Sequence, residues 1–232
     1  MTAIGGARVV SHSVTVPGAR LEARISRPVL ITAGATRNPI DAMRHISANS
    51  SGRTSAHIAR ALASQTAVTL LGSPQALLRI EEDADGREFG DTRDLLRKMK
   101  RWVQHNPGGV VVHAAAVGDY EVRDPSASKV SSQLGEWTLT LHPTPKIADL
   151  IPQWDPQVFL VTFKAAGPDT EAEDLAQICR KQLRRTRSQM VFGNVIGALG
   201  ATSTLVDALG SEAFERREDA LSALVARIRA VL

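Results

Sequence analysis

Short, uninterrupted apolar runs recur along the chain, each closed by a small or turn-forming residue, and between them lie stretches whose apolar positions repeat at helical spacing. Val29-Leu30-Ile31-Thr32-Ala33, ended by Gly34, has the pattern of a strand buried on both faces of a parallel sheet. Residues 67–72, 110–117, 158–163 and 190–194 repeat that pattern, and 203–206 predicts one more strand. Residues 137–141, Trp-Thr-Leu-Thr-Leu, alternate like a strand with one solvated face. Ile58, Ala61 and Leu62 predict a helix over 54–65. Asp91 reads as the N-cap of a helix to about His105, with Leu95, Leu96, Met99, Trp102 and Val103 on one face. A short helix is expected over 147–151. Thr170 with Glu173 has the form of a capping box opening a helix that carries Leu175, Ile178 and Leu183. Leu221, Leu224, Val225 and Ile228 mark a terminal amphipathic helix.

Strands alternating with helices predict an α/β fold, a mostly parallel sheet covered by helices on both faces in three layers, Rossmann-like or ribokinase-like. Residues 28–232 form a single domain in this reading. Residues 1–27 form an N-terminal extension or hairpin, with Val14-Thr15-Val16, a Pro17-Gly18 turn and a second short strand at 21–25. Residues 73–90 give no clear assignment; Glu81-Glu82-Asp83 and Asp85-Gly86 suggest an exposed turn. The long polar stretch 118–135 has the length of a lid, a binding loop or a disordered segment.

Composition narrows the function. A chain of 232 residues, 43% hydrophobic, is long enough for one substantial core. It contains no apolar run of membrane-spanning length and no signal-peptide pattern at its start, so a cytoplasmic protein without membrane attachment is expected. The single cysteine, Cys179, falls in a helical pattern and reads as a packing residue, and the six histidines show no metal-ligand spacing. A net charge of +4 suits anionic small molecules. With 4% aromatic residues there is no stacking platform for bases, which argues against nucleic acid as a partner.

The candidate chemistry centres on Arg44-His45-Ile46-Ser47-Ala48-Asn49-Ser50-Ser51-Gly52-Arg53. Small hydroxyl and amide side chains run directly into a helix start, where unpaired backbone N–H groups hold anions. The same residues also suit an ordinary Ser cap. Ligands of open α/β sheets sit beyond the carboxyl ends of the strands. That rule gathers Gly34, Thr36, Ser50-Ser51-Gly52, Asp119, Lys129 and the basic residues Arg180, Lys181, Arg184 and Arg185 into one crevice, although Lys129 also suits a solvated surface charge and the basic row a solvated helix face. Asp119 suits either a water-mediated Mg²⁺ or a turn. Residues 34–39, Gly-Ala-Thr-Arg-Asn-Pro, lack the later glycines of the dinucleotide fingerprint, and no P-loop is present.

In order and spacing, residues 31–41, Arg44-His45-Ile46-Ser47, Ser50-Ser51-Gly52 and residues 114–120 resemble phosphopantothenate-cysteine ligase. The match continues through Lys129-Val130-Ser131-Ser132, Thr144-Pro145-Lys146-Ile147, Thr162-Phe163-Lys164 and Gly193-Asn194. The resemblance covers residues 28–231 and is closest to the free-standing bacterial type; nothing corresponds to the flavin-dependent decarboxylase of the fused enzymes, so no flavin is expected. It implies a two-step synthesis from phosphopantothenate, cysteine and either CTP or ATP, with Mg²⁺, through an acyl nucleotidylate, in a homodimer. It assigns the substrate phosphate to Arg44, Ser50, Ser51 and Gly52. It assigns the nucleotide to Gly34, Ala115, Asp119, Lys129, Pro145, Ile147, Phe163, Lys181 and Arg185, with Asp119 also holding the metal and Lys129 acting in catalysis from a closing loop.

One departure bears on activity. The family asparagine that supports the acyl-nucleotidylate chemistry is replaced by Ala48, and asparagine follows at Asn49. Either Asn49 reaches the site through a shifted loop, or the chain is a catalytically impaired nucleotide-binding relative with a binding or regulatory role. Ala35, Gly118 and Ala166-Gly167 depart from the family pattern as well.

Overall fold

The first apolar run forms β1 (Val29–Ala33), every residue of it buried, in the middle of an eight-stranded sheet. The computed structural model describes residues 26–79, 84–197 and 203–232. After β1 come a small hairpin of β2 (Arg37–Pro39) and β3 (His45–Ser47), α1 (Arg53–Ala63), β4 (Val68–Gly72), the single turn α2 (Pro74–Leu77), β5 (Asp85–Glu88) and α3 (Thr92–His105). The chain continues through β6 (Val110–His113), β7 (Tyr120–Val122), β8 (Leu141–Pro143), α4 (Ile147–Trp154), β9 (Phe159–Ala166) and α5 (Ala172–Thr186). It closes with β10 (Met190–Val195), β11 (Ser203–Asp207), β12 (Ser211–Phe214) and α6 (Arg217–Arg229).

The strand order is β12-β11-β10-β9-β6-β1-β4-β5, and β2–β3 and β7–β8 form two separate small sheets. Strands β10, β9, β6, β1, β4 and β5 pair parallel across the centre, with Val29 opposite both Val68 and Val110. The last two strands turn back antiparallel. Alternation along β1 divides the core in two. Val29, Ile31 and Ala33 face α1 and α6, packing with Ile58, Leu62, Leu224 and Ile228. Leu30 faces the other way, toward Leu95 and Met99 of α3 and Ile147 and Ile151 of α4. On that second side α5 covers β10 and β11 through Leu175 and Cys179. Cys179 is buried, and burial raises its thiol to about 11, so it is an inert packing residue.

Several local expectations change. Residues 73–90 contain α2 and the edge strand β5, whose Asp-Gly-Arg-Glu sequence is wholly exposed and carries no hydrophobic period. The alternating residues 137–140 are not in a ladder; the strand is shifted to β8, where Glu121 lies opposite His142. That register is fixed by charge: Glu121 accepts from Arg93 Nη2 at 2.6 Å and meets His142 Nε2 at 3.0 Å. The capping box does not form, because α5 starts after Glu171, which is its N-cap and makes no side-chain cap bond. The helix expected at 147–151 runs on to Trp154 past Pro152. The hairpin expected at 14–25 lies outside the described residues.

Candidate active site

The chain leaves β1 for β4 on one side, then returns through α3 to β6 on the other. The crevice between the carboxyl ends of β1 and β6 is therefore the topological switch point of the sheet. A cleft of 880 Å³ opens there. Residues 48–55, 114–116 and 194–197 line it, with Asp119, Phe163, Ala165, Ser203 and Arg217.

Its floor is the start of α1. Gly52 is the N-cap in the left-handed region (φ 75°), with no side-chain cap and no acidic residue in the first turn. A Cβ at Gly52 would lie 2.5 Å from Ala76 Cβ and 3.3 Å from the Gly34 nitrogen, and one at Gly34 (φ 81°) would overlap the Ser73 side chain. The two glycines let the start of α1 sit directly over the end of β1. Gly52 O takes its first intrahelical bond from Ala56 N, so the amides ahead of it in the first turn are free of the helix ladder and bordered by Ser50 and Ser51. Free amides at a helix start are suited to phosphate or carboxylate groups.

The end of β6 is held rigidly beside it. Ala115 N donates to Thr32 Oγ1 at 3.0 Å, and the same oxygen is hydrogen-bonded to His113 Nδ1 at 2.9 Å. Burial pushes His113 down to about 4, which keeps the ring neutral at pH 7. Ala116 N and O bond to Gly34 O and Thr36 N, tying the two strand ends together.

Of the residues assigned from the sequence, Asn49, Ser50, Ser51, Gly52, Ala115, Asp119 and Phe163 line the cleft, as does Ala48. Gly34 lies beneath them. Asp119 is the one carboxylate in that lining and pairs with Lys146 Nζ at 2.5 Å. The remaining residues lie outside it. Thr36 is fully buried; its Oγ1 accepts from Gly118 N and from the Thr92 hydroxyl, which spends it on fixing the turn. Arg44 is held by Asp41 at 3.1 Å and by the Val130 carbonyl at 3.2 Å, over the Trp137 ring. Asp41 also accepts from the amides of Met43, Arg44 and Val130. Burial works against ionisation there, but those amides and the Arg44 charge outweigh it and hold the carboxyl below its ordinary value. Together they clamp the loop that carries the exposed Lys129 to the β2–β3 turn.

Pro145 lies half-buried outside the lining, and the Ile147 side chain is 2% exposed within the α3–α4 core. α5 runs back from the cleft end of β9 toward the amino end of β10. Lys181 and Arg185 fall in its last turns, with Arg185 on Asp149 and Arg180 on Ser211, and none of this basic row is in the cleft lining. Arg217 and Ser203 were not foreseen as site residues. The available signal was an arginine opening a helix, where the dipole favours acids.

The sequence matches the family model of the DNA/pantothenate metabolism flavoprotein C-terminal domain over residues 25–217. The chain belongs to this family. Among curated relatives, it is 36% identical over 186 residues to the coenzyme A biosynthesis bifunctional protein CoaBC of Thermococcus kodakarensis, covering 79% of this chain and 45% of that one. The protein of the same name from Bacillus subtilis is 27% identical over 177 residues, covering 75% and 41%. The chain thus spans less than half the length of these relatives. In three dimensions it follows the DNA/pantothenate metabolism flavoprotein from Streptococcus pneumoniae with a TM-score of 0.78 and 26% identity, over 88% of this chain and 99% of that one. The family is the one the motifs resembled, and the shared fold places the Ser50-Ser51-Gly52 turn at the sheet's switch point.

Proposed function

We propose that this chain is a cytoplasmic ligase of coenzyme A biosynthesis that joins 4'-phosphopantothenate to cysteine through an acyl nucleotidylate, at the expense of CTP or ATP. The observation that carries the reading is the open start of α1 at the switch point, next to a single carboxylate and within a cleft large enough for a nucleotide. The names of the bifunctional relatives point the same way.

In the first step the substrate carboxylate attacks the α-phosphorus and pyrophosphate leaves; in the second the cysteine amine attacks the acyl carbon and the nucleoside monophosphate leaves. The first step brings two anions together and the second builds an oxyanion on the acyl carbon, so fixed donors are required before reaction. The free amides of the first turn of α1, with Ser50 and Ser51, seat phosphate oxygens. Ala114–Ala116 present no long side chain, so a ligand reaches the backbone closely. Asp119, once released from Lys146, would be the residue to hold a Mg²⁺ here, and the ion would supply positive charge against the polyphosphate. The Asn49 amide donates to the oxyanion that forms on the acyl carbon. Lys129 reaches the phosphates when its loop closes. No helix among the described residues is long and apolar enough to cross a membrane. Met43, Tyr120, Leu134, Trp137 and Leu141 are exposed on or beside the two small hairpins, and this apolar surface supports a homodimer.

One observation supports a second reading. Ala48 carries no donor where the family has asparagine, which would leave a nucleotide-binding relative without turnover. The test of both is pyrophosphate release by the purified protein with Mg²⁺, phosphopantothenate and CTP or ATP, with and without cysteine, beside an Ala48→Asn variant. Sustained, cysteine-dependent release by the native chain supports the ligase. Nucleotide binding without turnover, rescued by Ala48→Asn, supports the lapsed relative. Absence of both binding and rescue contradicts both.

A further inference from the structure

Arg217, the first residue of α6, reaches across to the start of α1. Its Nη2 donates to Thr54 Oγ1 at 2.9 Å, and its guanidinium carbon lies 5.0 Å from the centroid of Phe192, whose ring stacks on Phe163. Its Nη1 is buried and has no hydrogen-bond partner among the described residues. No ion pair to this arginine is formed there either. A second group in the same cleft shares this condition: Ser203, 1% exposed, has a buried hydroxyl without a partner among the described residues.

A guanidinium N–H stripped of water and given no acceptor costs free energy, and an anion placed against it restores the loss. Burial lowers the affinity of Arg217 for its proton, yet an arginine side chain stays charged at neutral pH. Nor does the residue serve its own helix. Glu218 and Asp219 supply the acidic first turn, whereas an arginine at that end opposes the dipole. What holds it is the stack on Phe192 and the bond to Thr54, in the first turn of α1.

We propose that Arg217 is a phosphate-binding residue of the cleft, donating from Nη1 to a phosphoryl oxygen seated at the open start of α1. The chemistry belongs equally to the polyphosphate of a nucleotide and to the terminal phosphate of phosphopantothenate; only the identity of the carrier rests on the ligase reading. Because the planar fork is held on one edge by Thr54 and on its face by Phe192, a lysine cannot reproduce it.

The test is calorimetric titration of inorganic pyrophosphate, and separately of phosphopantothenate, into the native chain, Arg217→Gln, Arg217→Lys and a control, Arg216→Gln. The control removes the same charge one residue away, from an exposed side chain paired with Glu218 at 2.5 Å. Arg217→Gln is expected to weaken one of the two ligands about tenfold to a hundredfold. Loss of pyrophosphate assigns the residue to the nucleotide, and loss of phosphopantothenate assigns it to the acid. Arg216→Gln stays within about threefold of native. If Arg217→Gln fails the check by circular dichroism, Arg217→Lys, which keeps the charge and stem, decides with a smaller loss in the same direction. Unchanged affinity for both ligands, or a native chain that binds neither, overturns the proposal. Ligase turnover with unchanged affinities removes this inference and leaves the ligase reading, whereas Arg217-dependent pyrophosphate binding without turnover does the reverse.

Discussion

Two helix starts in this molecule are built in opposite ways. At α3, Asp91 accepts from Asp94 N at 2.7 Å, Asn38 Oδ1 accepts from Thr92 N at 3.0 Å, and Asp94 adds an acidic side chain to the first turn, so these amides and the dipole are satisfied within the protein. At α1, a left-handed glycine replaces the cap, no acid follows, and the amides face the cleft. A helix start closed by its own carboxylates contributes stability; one left open at a switch point is kept for a ligand's anion. The contrast can be broken or sharpened by substitution on each side.

The largest effect is expected beside the open end. If Asn49 supplies the oxyanion donor in place of the asparagine missing at 48, Asn49→Ala lowers kcat about a hundredfold to a thousandfold with little change in nucleotide affinity. Steady-state kinetics check it, and an unchanged kcat would assign the donor elsewhere.

Next comes the support under the cleft. His113 has a folded value near 4 against about 6.5 unfolded, so its neutral form is favoured by folding. The sign follows: its contribution is complete above pH 6.5, falls as pH drops toward 4, and is gone below that. Relative to His113→Gln, the native chain is expected to lose on the order of 3 kcal/mol between pH 7.5 and 4 in denaturant unfolding. A flat difference across that range would mean that the ring titrates normally.

Gly52→Ala forces a Cβ against Ala76 at a left-handed backbone angle. It should cost about 1–3 kcal/mol of stability and weaken pyrophosphate binding as well. Asp91→Ala, on the closed side, should cost about 1 kcal/mol by thermal unfolding while leaving turnover as it was. Equal effects of these two changes on turnover would erase the distinction between the helix starts.

How much of this was legible in the chain differs by element, for physical reasons. The central strands announce themselves because strands buried on both faces need unbroken apolar runs, as at Val29–Ala33. The edge strands β5 and β12 do not, since Asp-Gly-Arg-Glu and Ser-Glu-Ala-Phe are largely exposed and held by backbone pairing with a neighbour. The shift of β8 depends on the Arg93–Glu121–His142 cluster, which only exists once the elements meet. The same divide runs through the site. Ser50-Ser51-Gly52 was readable because a small polar run before a helix is a local signal. Arg217 was not, because its partner Thr54 is 163 residues away in sequence. The row on α5 suits a solvated helix face as well as a binding face, and its charges are partnered outside the cleft lining, Arg185 by Asp149 and Arg180 by Ser211.

The central claim is that the open start of α1 serves an acyl-nucleotidylate ligase. It is tested most directly by rapid quench of the purified chain with Mg²⁺, phosphopantothenate and CTP or ATP, in the absence of cysteine. The account predicts a burst of pyrophosphate matched by enzyme-bound acyl nucleotidylate, close to one per active site, which added cysteine converts to the amide and the nucleoside monophosphate. No burst with either nucleotide, or pyrophosphate release that does not require phosphopantothenate, would contradict it.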